Sequence, residues 1–176
     1  AHTIKNGLAP LLIELIEGGW VTHLATNGAG IIHDWEFAYQ GHSSENVGEN
    51  IANGTFGLWE ETGHYLNLAI NVGAYHGLGY GESVGAMVEE EGIEIPSACE
   101  LNDEIERNRE EDNPEQSAAA SDLLQILNTF NLDAGWKVIK HPFKQYGVQA
   151  AAYRLNIPFT GHPMIGHDIS YEHPMN

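Results

Sequence analysis

Two histidine–aspartate pairs are the residues of this chain best suited to acid–base chemistry. His33-Asp34 and His167-Asp168 each end a four-residue segment that begins with isoleucine. An imidazole beside a carboxylate can transfer protons, orient hydroxyls or amines, or take part in binding a metal ion. The pairs are therefore candidates for one functional site, although a chance repeat of so short a pattern remains an alternative.

A turn of small and polar residues comes before the first pair. Thr26-Asn27-Gly28-Ala29-Gly30 follows an apolar run and leads into a segment whose composition suits a helix. Small residues let a ligand approach the backbone, and the first N–H groups of a helix attract anions. The segment predicts a ligand-binding turn, and an ordinary connection from strand to helix is the alternative.

The histidines near the end of the sequence suggest a metal site as another alternative. His162, His167 and His173, together with Asp168, supply suitable ligand atoms. Their spacing matches no strong zinc pattern such as His-Glu-x-x-His, and the one cysteine, Cys99, lies far away in the sequence. A serine hydrolase that uses Ser43 or Ser44 with His33 and Asp34 is disfavoured, because neither serine stands in a Gly-x-Ser-x-Gly segment that would present a nucleophile.

The elements that must position these residues follow from hydrophobic periodicity. Leucines and isoleucines at three- and four-residue spacing predict a helix over residues 8–17, and Gly18-Gly19 ends it. A strand over 20–25 follows. A helix over 143–155 and a strand over 157–161 repeat this order. Helix–strand repetition favours a parallel sheet, in which both turns would lie at the carboxyl ends of their strands.

The middle of the chain contains one long polar segment and two helices. Residues 41–57 are rich in glycine and asparagine, and we predict a functional loop or lid with a short helix near 46–52. Ser97 and Glu100 form a capping box before one helix, and Pro114 begins another. These two helices are predicted to be structural.

Composition limits the class of protein. The 176 residues predict a single α/β domain over 1–176. Asp and Glu number 25 against 7 Lys and Arg, a formal charge of −18, which argues against nucleic-acid binding. No apolar run approaches the ~20 residues of a membrane helix. With a single cysteine and no signal-peptide pattern, the sequence predicts a cytoplasmic protein.

Two blocks of the sequence resemble the deoxyhypusine synthase family. In Gly7–Asp34 a helix, Gly-Gly and a strand lead to a small-residue turn and a His-Asp pair. Tyr146–Phe159 is similar to the family's helix and strand before a second nucleotide-contacting loop. The resemblance implies a Rossmann-like parallel sheet flanked by helices, an NAD cofactor and a homo-oligomer, usually a tetramer. It also implies transfer of the aminobutyl group of spermidine, or action on a related amine.

The resemblance also assigns roles to residues. His33 and Asp34 would be catalytic and would meet the polyamine. The cofactor-binding residues would be Thr26, Asn27, Gly28, Ala29, Gly30, His167 and Asp168.

The chain departs from the family pattern at two points. Ile165-Gly166-His167-Asp168 replaces the acidic and serine-containing second loop, and the segment with the catalytic lysine is absent from these 176 residues. A non-catalytic relative that acts as a binding or assembly subunit is therefore one alternative, and an unrelated metal-dependent α/β enzyme is another. Because so few strands would leave open sheet edges, we also expect a segment of a longer domain or completion by another chain.

Overall fold

A computed structural model describes residues 1–55, 59–164, 166 and 172–176. The elements of the described residues, in chain order, are α1 (His2–Lys5), α2 (Ala9–Glu17), β1 (Leu24–Asn27), α3 (Gly28–Gln40), α4 (Val47–Asn53), α5 (Glu60–Tyr75), α6 (Tyr80–Glu90), β2 (Gly92–Ile95), α7 (Ala98–Glu110), α8 (Pro114–Phe130), β3 (Gly135–Val138), a 3-10 turn (Lys144–Tyr146), α9 (Val148–Arg154) and β4 (Phe159–His162).

The strands of the described residues form two separate pairs. β1 and β4 pair in parallel, with Leu24 opposite Phe159 and Asn27 opposite His162. β2 and β3 pair antiparallel, with Gly92 opposite Val138. The predicted α/β class is therefore confirmed in its coarse form: the described residues mix helices with strands, and two of the strands form a small parallel sheet. The antiparallel pair had not been predicted from the sequence.

Helices supply most of the core, and small residues let them approach closely. α6 packs against α9, α5 and β4. A Cβ atom at Gly85 would lie 2.6 Å from the Gln149 carbonyl oxygen of α9, and one at Gly81 would overlap the Phe159 carbonyl of β4. α6 therefore lies directly on the backbone of its neighbours. Fully buried side chains from α3, α5, α6 and α8 fill the centre: Ile31, Trp35, Leu66, Leu68, Val84 and Leu123.

Several predicted elements are confirmed. The helix predicted over 8–17 is α2, and the short helix predicted near 46–52 is α4. The capping box at Ser97 forms as predicted, since Ser97 Oγ accepts a hydrogen bond from Glu100 N and Ser97 N donates to the Glu100 carboxylate. Among the described helices, none combines the length and apolar character needed to cross a membrane.

Two predicted boundaries were wrong. The strand predicted over 20–25 lies at Leu24–Asn27, and α3 begins at the next residue. No separate turn intervenes because Asn27 is both the last strand residue and the N-cap of α3. The helix predicted over 143–155 is divided at Gly147, whose extended backbone (φ −79°, ψ 116°) separates the 3-10 turn from α9.

Candidate functional site

The candidate site is the edge of the parallel pair where β1 and β4 end. Asn27 and His162 are register partners at that edge, so the start of α3 and the segment after β4 leave the sheet side by side. We call this edge the rim. The prediction that both strands end on the same side of a parallel sheet is confirmed. His167 and Asp168, which were also predicted there, lie outside the described residues.

The first turn of α3 forms one side of the rim. Asn27 Oδ1 accepts a hydrogen bond from Gly30 N at 3.0 Å, which satisfies one N–H group of the helix start. The Thr26 hydroxyl occupies the space that a Cβ atom at Gly30 would need. Gly30 therefore serves the close packing of α3 on its own strand. The 13-residue helix directs the positive end of its dipole toward the rim.

Asp34 lies inside the protein. Its side chain is 2% exposed, and its two oxygens accept hydrogen bonds from Val148 N and Gln149 N, both at 2.9 Å. Gln149 Nε2 donates a third, at 3.1 Å. Burial raises the pKa of Asp34, and these hydrogen bonds oppose the rise. These contacts give Asp34 a structural role at the start of α9, and its catalytic role stays a prediction.

His33 pairs with a residue that the sequence analysis did not single out. His33 Nδ1 lies 2.7 Å from Glu36 Oε2, and the same oxygen accepts a hydrogen bond from Ser44 N at 2.9 Å. Since a carboxylate only accepts, Nδ1 carries a proton, and in the neutral ring the lone pair is on Nε2. Their spacing of three residues on one helix was the signal that could have identified Glu36.

A second group of polar side chains lies along the parallel pair. The Thr160 hydroxyl oxygen is 3.1 Å from His23 Nε2 and 2.9 Å from His162 Nε2. It also lies 3.4 Å from the Leu24 carbonyl oxygen. His23 and Thr160 were not among the predicted site residues, because only the pairing of β1 with β4 brings them to His162.

His162 and His173, the two described histidines of the predicted metal set, lie in different groups. His162 belongs to the Thr160 group, whereas His173 contacts Glu60 on α5. Within the described residues, the one set of three potential metal ligands is Glu60, His64 and His173, whose ligand atoms all lie within 4.8 Å of one another. The sequence analysis missed Glu60 and His64, although they lie four residues apart on one helix face.

We compared the chain with protein-family models, with curated proteins and with solved structures, and none of the three comparisons found a match.

Proposed function

We propose that the chain binds NAD at the rim and acts on a small amine, as a protein similar to the deoxyhypusine synthase family. The observation that carries the proposal is the parallel pairing of β1 with β4, which puts the start of α3 beside the segment that follows β4. Ligands of parallel α/β sheets bind at the carboxyl ends of strands. A Rossmann-like sheet is part of this proposal.

The rim residues suit a dinucleotide in their chemistry. The N-terminus of α3 can donate backbone hydrogen bonds to a diphosphate, and Gly28 and Ala29 add little bulk at that point. The Asn27 side chain is neutral and exposed, so it places no negative charge where the diphosphate would lie. Thr26 supports the helix from the strand side.

His33 is the residue that we assign to proton transfer. Glu36 holds the ring through Nδ1, so the lone pair of Nε2 can take a proton from a bound amine. His33 lies five residues into α3, about 8 Å along the helix axis from Gly28 at 1.5 Å per residue. NAD, when bound, would accept the hydride that the amine carbon loses. Glu36 is a positioning residue, and the net charge of −18 favours a cationic substrate.

The first test measures NAD⁺ binding by calorimetry to the wild type, Asn27→Asp and Asn27→Ser. Both substitutions keep a good N-cap for α3, so both variants should fold. Only Asn27→Asp adds a negative charge next to the proposed diphosphate position. We expect Asn27→Asp to weaken NAD⁺ binding at least tenfold and Asn27→Ser to stay within about threefold of the wild type, since a unit charge at close range contributes more than 1 kcal/mol. Equal affinities in all three proteins would contradict the assignment of the rim.

The second test addresses catalysis. His33→Gln should keep the NAD⁺ affinity of the wild type and should lower NADH formation with spermidine or a diamine at least 100-fold, a typical effect of losing a general base. His76→Gln, at an exposed histidine just after α5, is the matched control and should leave turnover unchanged. NAD⁺ binding without turnover in the wild type would favour a binding or assembly subunit over an enzyme.

A further inference from the structure

Three side chains that could bind a metal ion converge away from the rim. Glu60 and His64 lie four residues apart on α5, so they share one face of the helix. His173 approaches from the end of the described chain, and its Nε2 lies 3.3 Å from Glu60 Oε1. The candidate ligand atoms of these three residues all lie within 4.8 Å of one another.

His173 is held in place by several contacts. Gly63 makes room for it, because a Cβ atom there would lie 2.7 Å from His173 Cδ2. The ring of Phe130 stacks on the imidazole, with centroids 6.0 Å apart and an interplanar angle of 24°. The side chain of His173 is 9% exposed. This packing fixes the imidazole beside Glu60 without any ion.

A lysine already brings positive charge to this group. Lys137 Nζ on β3 lies 3.2 Å from His64 Nε2, and a lysine nitrogen of this kind donates to the imidazole lone pair. Burial, followed by the charge of Lys137, lowers the pKa of His64. The contact with the Lys137 ammonium group itself shows that His64 Nε2 faces a position where a cation can lie.

We propose that Glu60, His64 and His173 form a binding site for a zinc ion, which Lys137 occupies with its ammonium group when zinc is absent. Two imidazoles and one carboxylate are a ligand set that zinc accepts with a fourth position open. At bond lengths near 2.1 Å, tetrahedral ligand atoms lie about 3.4 Å apart, so the side chains must close by at most about 1.4 Å from the observed limit of 4.8 Å. The proposal is independent of the one made for the rim.

Binding has two structural consequences. Lys137 must leave His64 Nε2, because the lone pair there cannot serve both cations. The proton on the His173 ring must also move. Met175 N donates a hydrogen bond to His173 Nδ1 at 3.1 Å, so without zinc it is Nε2 that carries the ring proton and shares it with Glu60. With zinc at Nε2, the ring proton moves to Nδ1, which can then no longer accept from Met175 N, so the Met175 backbone must move away. Zinc binding therefore changes the tautomer of His173 and competes with Lys137 for His64.

The experiment titrates the purified chain with Co²⁺, which gives visible absorption in low-coordinate sites, and then displaces the cobalt with Zn²⁺. We compare the wild type with Glu60→Gln, His64→Gln and Lys137→Met. Glu60 is largely exposed, so Glu60→Gln should leave the fold intact. Each ligand variant should weaken binding at least tenfold, whereas Lys137→Met should strengthen it severalfold by removing the competing ammonium group.

His76→Gln, at an exposed histidine just after α5, is the matched control and should bind cobalt like the wild type. The proposal is overturned if neither the wild type nor Lys137→Met develops the cobalt band. It is also overturned if Glu60→Gln and His64→Gln bind as tightly as the wild type, because the ion would then be held elsewhere. Lys137→Met binding no tighter than the wild type would overturn the role of Lys137.

Discussion

At the scale of single residues, α3 carries two carboxylates with different roles. Asp34 satisfies the first N–H groups of α9, whereas Glu36 holds the ring of His33 and the backbone of Ser44. The sequence analysis predicted His33 as a site residue and took Asp34, its neighbour in the chain, as its acid–base partner. Adjacent helical residues point in directions about 100° apart, so residues three apart are the ones that meet. Helical periodicity could have indicated the pairing of His33 with Glu36. The partners of Asp34 on α9 depend on tertiary packing, so the sequence did not indicate them.

We predict that Asp34→Asn destabilises the fold by about 2–3 kcal/mol. Val148 N and Gln149 N donate to different oxygens of the carboxylate, and an asparagine amide has only one oxygen to offer. One buried N–H group would face an NH₂ group and lose its acceptor. Urea unfolding measures the change, with exposed Asp122→Asn as the matched control. An Asp34→Asn protein of normal stability that lost turnover would instead support the catalytic assignment.

At the scale of elements, the sequence predicted helices better than strands. Leu12 and Ile16 in α2, and the cap at Ser97 before α7, are local signals that act within a few residues. β2 and β3 are four residues each, and their pairing sets Gly92 against Val138 across two intervening helices. No local pattern in such short strands specifies a partner, so this pair could not be predicted.

The contact between α6 and α9 supplies a prediction at this scale. Gly85→Ala should destabilise the protein by about 2 kcal/mol, because its Cβ would meet the Gln149 carbonyl at 2.6 Å and backbone atoms cannot rotate aside. Gly48→Ala in α4 is the matched control, since the nearest neighbouring atom there lies at 3.8 Å. It should be neutral or stabilise by up to about 1 kcal/mol through helix propensity. Unfolding in urea compares both variants, and equal stabilities would show that α6 can move away from α9.

At the scale of the whole molecule, the net charge and the order of the elements along the chain give different kinds of information. The excess of 25 acidic over 7 basic residues bears on the partners of the protein and carries no information about its fold. The parallel contact of β1 with β4 was predictable because the same helix–strand order occurs near both ends. The group around Thr160 depends on the exact register of β1 and β4, and the group around His173 depends on side-chain packing between distant segments, so no local pattern specified either group. The homo-oligomer and the cytoplasmic location stay predictions.

The long separation of β1 from β4 also determines when the rim can form during folding. His23 and Thr160 are 137 residues apart in sequence, and the helices between them can assemble through nearer contacts. Closing so large a loop costs chain entropy that only a nearly complete core can offset. We therefore expect the parallel pair to close late in folding and to open early in unfolding. A ligand that joins the two strands at the rim would then act mainly by slowing that opening step.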